Sequence, residues 1–117
     1  PVAVLLVAVL HAVPDDEGPH DFVARYRDIM APGSHVAISH ITSHEQPAHL
    51  VDRMTAVFEK VREPMVPRSR DEILRFFDGC ELVDPGLVPA AEWRPDETAA
   101  EDDPPTGFIL AGVGRKA

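Results

Sequence analysis

The sequence predicts an α/β fold with a largely parallel sheet, and three observations carry that expectation. Short apolar runs rich in Val, Ile and Leu recur at residues 2–10, 34–41, 80–88 and 106–116. Between the first three stand stretches in which apolar residues return every three to four positions, the period of an amphipathic helix. Pro and Gly punctuate the joins. The order reads β-α-β-α-α-β-loop-β, and 117 residues hold one domain at most.

The first run, VAVLLVAVL at 2–10, carries no charge and no alternation, which suits a central strand covered on both faces. It falls short of the ~20 apolar residues that a membrane-spanning helix needs. It also lacks the basic flank and the cleavage site of a signal peptide. Because the sequence opens at Pro1 directly on this run, further sequence upstream is expected. A polar loop at 14–19 leads to a helix with Phe22, Val23, Tyr26, Ile29 and Met30 on one face, stopped by Pro32 and Gly33. SHVAISHI at 34–41 is the second strand. The next helix carries Leu50, Val51, Met54, Val57, Phe58 and Val61, and ends at Glu63-Pro64.

Ser69-Arg70-Asp71-Glu72 has the S-x-x-E form of a capping box. It starts a short helix through Ile73, Leu74, Phe76 and Phe77, closed by Gly79. CELVDPGLV at 80–88 is a third strand running into a turn. The acidic, Pro- and Ala-rich stretch at about 92–105 reads as a long exposed loop, and TGFILAGVGRK at 106–116 is the last strand. If strands add outward in one direction, right-handed crossovers put every helix on the same face. The other face of the first strand is then uncovered and its inner edge unpaired.

Charge and composition narrow the partners. A formal net charge of −9 speaks against nucleic acid and against an anionic membrane surface, both of which need clustered Lys and Arg. Cys80 is the single cysteine, so no disulfide framework or cysteine-based metal site is expected, and a reducing, cytoplasmic setting is.

In open α/β sheets, ligands sit beyond the carboxyl ends of the strands, where strand order reverses. His11 and His40 close the first and second apolar runs, so both are expected on that rim. A neutral imidazole there suits proton abstraction from a hydroxyl or amine; the plainer alternative is a strand-end histidine bonded to a loop carbonyl. His44 would be a third metal ligand, but scattered histidines without a ligand motif do not predict a metal site, and none is expected. Arg68 and Arg70 suit an anionic substrate group or plain solvent exposure. Asp15, Asp16 and Glu17 suit a basic partner or a solvated helix start. Trp93 either closes a pocket wall or anchors the long loop. The sequence holds no G-x-x-x-x-G-K-[ST] and no G-x-G-x-x-G, and its late GVGRK opens no helix.

VLLVAVLHAVPDDE and FVARYRDIMAPGSHVAISH together resemble the second half of class I S-adenosylmethionine-dependent methyltransferases. The nearest likeness is to a bacterial family known as S-adenosyl methyltransferases, to which the 65–96 segment and the terminal GVGRK are also similar. That resemblance implies a Rossmann-like methyltransferase fold with a seven-stranded sheet. Residues 1–117 would be the C-terminal half of its single domain, supplying strands four to seven. The last strand would be antiparallel beside the fifth, in a three-layer sandwich incomplete on one face. The N-terminal cofactor-binding half, with its Gly-rich loop and ribose-holding acidic residue, would be absent.

VLHAVPDDE is further similar to the LHDWPD stretch of small-molecule O-methyltransferases, whose histidine is a general base; His11, Pro14 and Asp15 match, while Ala12 and Val13 depart. The resemblance implies S-adenosylmethionine as cofactor and methyl transfer to a small molecule, with the fragment itself inactive. It puts His11 near the reacting centre with His40 second, Leu10, His11 and Val13 on the cofactor side, and Met65, Arg68 and Trp93 on the acceptor side. The implied partner is the missing half or a second copy over the exposed sheet edge. The rival reading is a non-catalytic α/β assembly module whose apolar edge is the working surface. A nicotinamide-dependent oxidoreductase fits the alternation but lacks its motif.

Overall fold

In a computed structural model, which describes residues 1–60, 65–94 and 108–117, the first apolar run is a strand for only half its length. β1 spans Ala3–Val7. Ala8 then takes a left-handed backbone (φ 56°), and the chain leaves the sheet into a 3-10 turn at Leu10–Ala12. The expected strand to residue 10 is corrected here: Leu10 is apolar because it folds back into the core, fully buried, not because it extends the strand. A second 3-10 turn at Asp15–Glu17 leads through Gly18, also left-handed, into α1 (Pro19–Ile29). β2 (His35–Ile41) and α2 (Ala48–Lys60) follow.

The capping box forms as its sequence predicts. Ser69 Oγ accepts from the Glu72 backbone N–H at 3.2 Å, and Glu72 Oε1 accepts from the Ser69 N–H at 3.1 Å. Two orphan donors at the start of α3 (Arg70–Leu74) are thereby satisfied. A 3-10 turn at Arg75–Phe77 carries the chain to β3 (Cys80–Leu82), then β4 (Val88–Pro89), a 3-10 turn at Ala90–Glu92, and β5 (Ile109–Lys116). The expected helix end at Val61, Glu63 and Pro64 lies outside the described residues, as do most of the acidic loop and Thr106 and Gly107.

The sheet runs β1-β2-β5-β3, with β4 also paired to β5. β1 and β2 are parallel, with Ala3 opposite His35 and Val7 opposite Ser39. β5 is antiparallel to both of its neighbours, inserted between β2 and β3 as the resemblance implies. Glycines make this insertion close. A Cβ on Gly114 would come within 2.9 Å of both Phe77 Cδ1 and Cys80 Cβ, and one on Gly112 within 3.1 Å of Phe77 Cζ. The GVGRK glycines are thus the floor on which Phe77 lies.

Alternation decides which face is dry. Leu6, Val36, Ile38 and Leu110 are buried against Val23, Met30, Ile73, Phe76 and Phe77 in one core. The opposite face of β1 is bare, with Leu5 68% and Val7 60% exposed. A run suited to cover on both faces is covered on one by the described residues. The helices are also less buried than their periodicity predicts. Ile29 on α1 is 80% exposed, and α2 buries none of its residues, with Val57 60% exposed. No described helix is long and apolar enough to cross a membrane.

Candidate active site

The carboxyl end of β1 is organised by a residue 53 positions away from the acid it pairs with. Arg68 is 0% exposed, and all five of its guanidinium N–H groups are used inside the chain. Nη1 donates to Leu10 O at 2.9 Å and to His40 Nε2 at 2.9 Å. Nη2 donates to Val13 O at 2.7 Å and to Asp15 Oδ1 at 2.8 Å, and Nε to the same oxygen at 3.2 Å. The ring of Phe76 lies 5.6 Å from the guanidinium carbon. A buried guanidinium is costly unless every donor is matched and an opposite charge is near, and here both conditions hold. The Arg68 backbone is fixed as well: its N–H donates to Ile41 O, and its carbonyl accepts from Thr42 Oγ1 at 2.7 Å.

The saturated guanidinium and the buried Leu10 side chain both depart from what the sequence predicts. Arg68 is neither a solvent-facing arginine nor free to grip an anionic substrate, because no donor remains. Leu10 cannot wall a cofactor pocket with its side chain, which is in the core; its carbonyl is taken by Arg68 and by the Val13 N–H, and the Val13 carbonyl by Arg68.

The two histidines separate. His40 is 0% exposed, beneath the rim rather than on it. A carbonyl only accepts, so the 2.6 Å contact from His40 Nδ1 to Ile41 O puts the proton on Nδ1. Nε2 is then the lone pair that receives Arg68 Nη1–H. Burial, ahead of the Arg68 charge, pushes the His40 pKa down to about 4. His11 is half-buried, its ring edge-on to His40 at 5.7 Å between centroids. Its Nδ1 accepts the backbone N–H of Ile41 at 3.4 Å. That N–H points to the side of β2 where β1 has already turned away, so the imidazole stands in for the missing strand carbonyl. Burial first, and the Arg68 charge second, hold the His11 pKa below its ordinary value. The His11 carbonyl accepts from Val66 N–H at 2.7 Å, which brings half-buried Met65 next to the turn.

Trp93 stands elsewhere. With Val7, Ala37, Ser39, Ala111 and Val113 it lines an apolar groove of about 280 Å³ on the open face of the sheet. Its indole Nε1 is buried with no partner among the described residues. His44 Nε2 lies 3.6 Å from Glu45, away from the other two histidines, and among the described residues no three His, Cys, Asp or Glu side chains gather to hold a metal. His20 carries no motif in the sequence that marks it. It donates from Nε2 to Glu72 O at 3.0 Å and stacks on Phe76 at 4.0 Å, tying α1 to α3.

The rim therefore offers exposed apolar surface at Val7 and Val9, half-buried Val13 and one neutral imidazole, with the nearby cation enclosed by its partners. That wall fits a sulfonium methyl donor on one side: apolar surface suits the methyl group, and the Arg68 charge beneath it is compensated by its own partners. Asp15, the acid nearest the turn, is already engaged by Arg68.

The family model of S-adenosyl methyltransferases matches residues 1–117. Among solved structures, a DUF574 family protein from Streptomyces avermitilis MA-4680 is 31% identical, with a TM-score of 0.91 over 100% of this chain and 45% of its own. A protein provisionally assigned as a methyltransferase from Thermobifida fusca YX is 35% identical, with a TM-score of 0.82 over 99% of this chain and 43% of its own. LaPhzM, at 14% identity and a TM-score of 0.61, shares the fold over 98% of this chain and 30% of its own. The chain thus spans less than half the length of the first two. No curated protein matches it.

Proposed function

The chain belongs to the S-adenosyl methyltransferase family, and from that premise we propose that it forms the carboxyl-side half of an enzyme that moves a methyl group from S-adenosylmethionine to a small-molecule acceptor. The observation that carries this reading is the end of β1. There a half-buried histidine stands beside an uncovered sheet face and is held in place by a buried arginine. His11 is the residue nearest the reacting centre. Val13 and the exposed tips Val7 and Val9 give the cofactor side an apolar wall, Met65 faces the acceptor, and Trp93 closes the groove that it shares with Val7 on the open sheet face. His40 and Arg68 act behind them, without touching either ligand.

S-adenosylmethionine supplies an electrophilic methyl group when bound; the residues of this chain orient the acceptor and exclude water. The other half of the site, including whatever holds the nucleoside, comes from outside these 117 residues and covers Leu5 and Val7. A reducing cytoplasm suits the free Cys80. The second reading, an assembly module, is favoured by the same bare face, which a second copy would bury.

Calorimetric titration of S-adenosylmethionine decides between the two. Binding to the full reading frame that contains this chain, with none to the 117 residues alone, is the expected result. No binding to either, with a stable dimer of the 117 residues, would favour assembly.

A further inference from the structure

We propose that His11 serves the methyl acceptor as a hydrogen-bond donor through Nε2–H rather than as a proton-abstracting base, that Arg68 positions it for this, and that the acceptor class it suits is an oxyanion, a phenolate or carboxylate. The inference rests on the methyl-transfer reading and deepens it.

A neutral imidazole has one N–H and one lone pair. The Ile41 backbone N–H points at His11 Nδ1, so the lone pair is on Nδ1 and the proton on Nε2. Among the described residues, Nε2 has no partner. What His11 has to offer a ligand is therefore a donor. Taking a proton would require either Nε2 to lose its own or Nδ1 to abandon Ile41, and the positive ring would then face Arg68. Burial and that charge both oppose it.

Arg68 makes the arrangement permanent. It grips the backbone on both sides of His11, at Leu10 O and Val13 O, and it holds Ile41 O through its own N–H. The ring and the N–H it accepts are thus fixed by one residue. His40, the other ring in contact, is locked into the same clamp through Nε2 and has no free lone pair to act as a substitute base.

A donor aimed at the acceptor favours its ionised form and sets the direction of its lone pairs. The oxyanion then needs no base. Its lone pair forms the new oxygen–carbon bond, the carbon–sulfur bond breaks with its electrons going to sulfur, and the opposite charges cancel. No proton moves. A neutral alcohol would have to shed a proton with nothing positioned to take it.

The first test is spectroscopic and independent of turnover. Nitrogen-15 NMR of the imidazoles in the full reading frame at pH 7.5 should show His11 with a protonated Nε2 and a bare Nδ1. In Arg68→Lys the His11 signals should move to a mixture of tautomers. If that variant does not fold, Asp15→Asn loosens the clamp from its exposed side and should shift the mixture in the same direction. A protonated Nδ1 in the wild type overturns the donor role, and an unchanged tautomer in the loosened clamp overturns the positioning role. The second test is kinetic. Phenols of graded acidity and carboxylic acids should be methylated, and aliphatic alcohols should not. His11→Gln, which keeps an N–H donor, should lose less than about tenfold, while His11→Ala loses about a hundredfold, the usual cost of one such donor. Equal losses in the two variants, or efficient turnover of alcohols, would restore the base. Absence of S-adenosylmethionine binding would sink the methyl-transfer reading together with this one; binding combined with the wrong tautomer would sink this one alone.

Discussion

The ends of β1 and β2 present the same residue type at adjacent places and use it in opposite ways. His40 continues the inward alternation of Val36 and Ile38, so its ring goes under the rim, where both nitrogens are bonded. His11 lies past a strand that has already left the sheet, and its ring fills the gap beside Ile41 with one nitrogen engaged. Position at a strand end does not decide a histidine's role. What decides it is whether the residue still obeys the parity of the strand or has entered the loop beyond.

The sharpest way to break this comparison is to remove what both histidines lean on. Arg68→Met leaves Val13 O and His40 Nε2 without the donor they have from Arg68 and strips one of two donors from Leu10 O, and should cost about 3–5 kcal/mol in urea unfolding, the usual penalty for dismantling a buried charged network. A loss below about 1 kcal/mol would mean that the guanidinium is not a keystone.

Acid should distinguish the two rings next. The His40 pKa is lowered from 6.5 to about 4 on folding, so protonation favours the unfolded chain between those values. Its contribution is fully present above pH 6.5 and is lost as pH falls towards 4, by about 3 kcal/mol at most. In His40→Gln, whose carbonyl can still accept from Arg68, that slope should flatten. A slope unchanged in the variant would assign it to other groups.

Asp15→Asn should have a smaller effect, because the carboxylate is largely exposed. The Arg68 hydrogen bond and charge hold the Asp15 pKa below 3.8, so its contribution is present above 3.8 and lost only as pH falls through the folded value. Melting curves at pH 7 and pH 3 should therefore differ less for this variant than for the parent. Smallest of all, His11→Ala should change stability by under about 1 kcal/mol, because the one hydrogen bond that its ring makes among the described residues is long. A large loss would make His11 as structural as His40.

Features with a local signature were legible in the sequence. The capping box at Ser69 and Glu72, the turn at Gly79 and the alternation of β2 need only neighbouring residues, and the structure has all three. The burial of His40 was legible too, from its parity with Val36 and Ile38, a signal that its strand-end position obscured. The end of β1 was not, because Leu10 keeps the apolar run going while its backbone has turned out of the sheet. The Arg68 clamp leaves no trace in sequence at all. Its partners at Leu10, Val13, Asp15 and His40 are 28 to 58 residues away, and an arginine before a helix cap looks like any exposed one.

Gly112 and Gly114 have a consequence for how the chain tolerates insertion and deletion. They stand two apart on one face of β5, each under Phe77, while Val113 between them faces the other way. Sliding the strand by one residue would drive Val113 into Phe77, so a residue gained or lost within β5 would be felt at once. The strand finds its place by what it packs under.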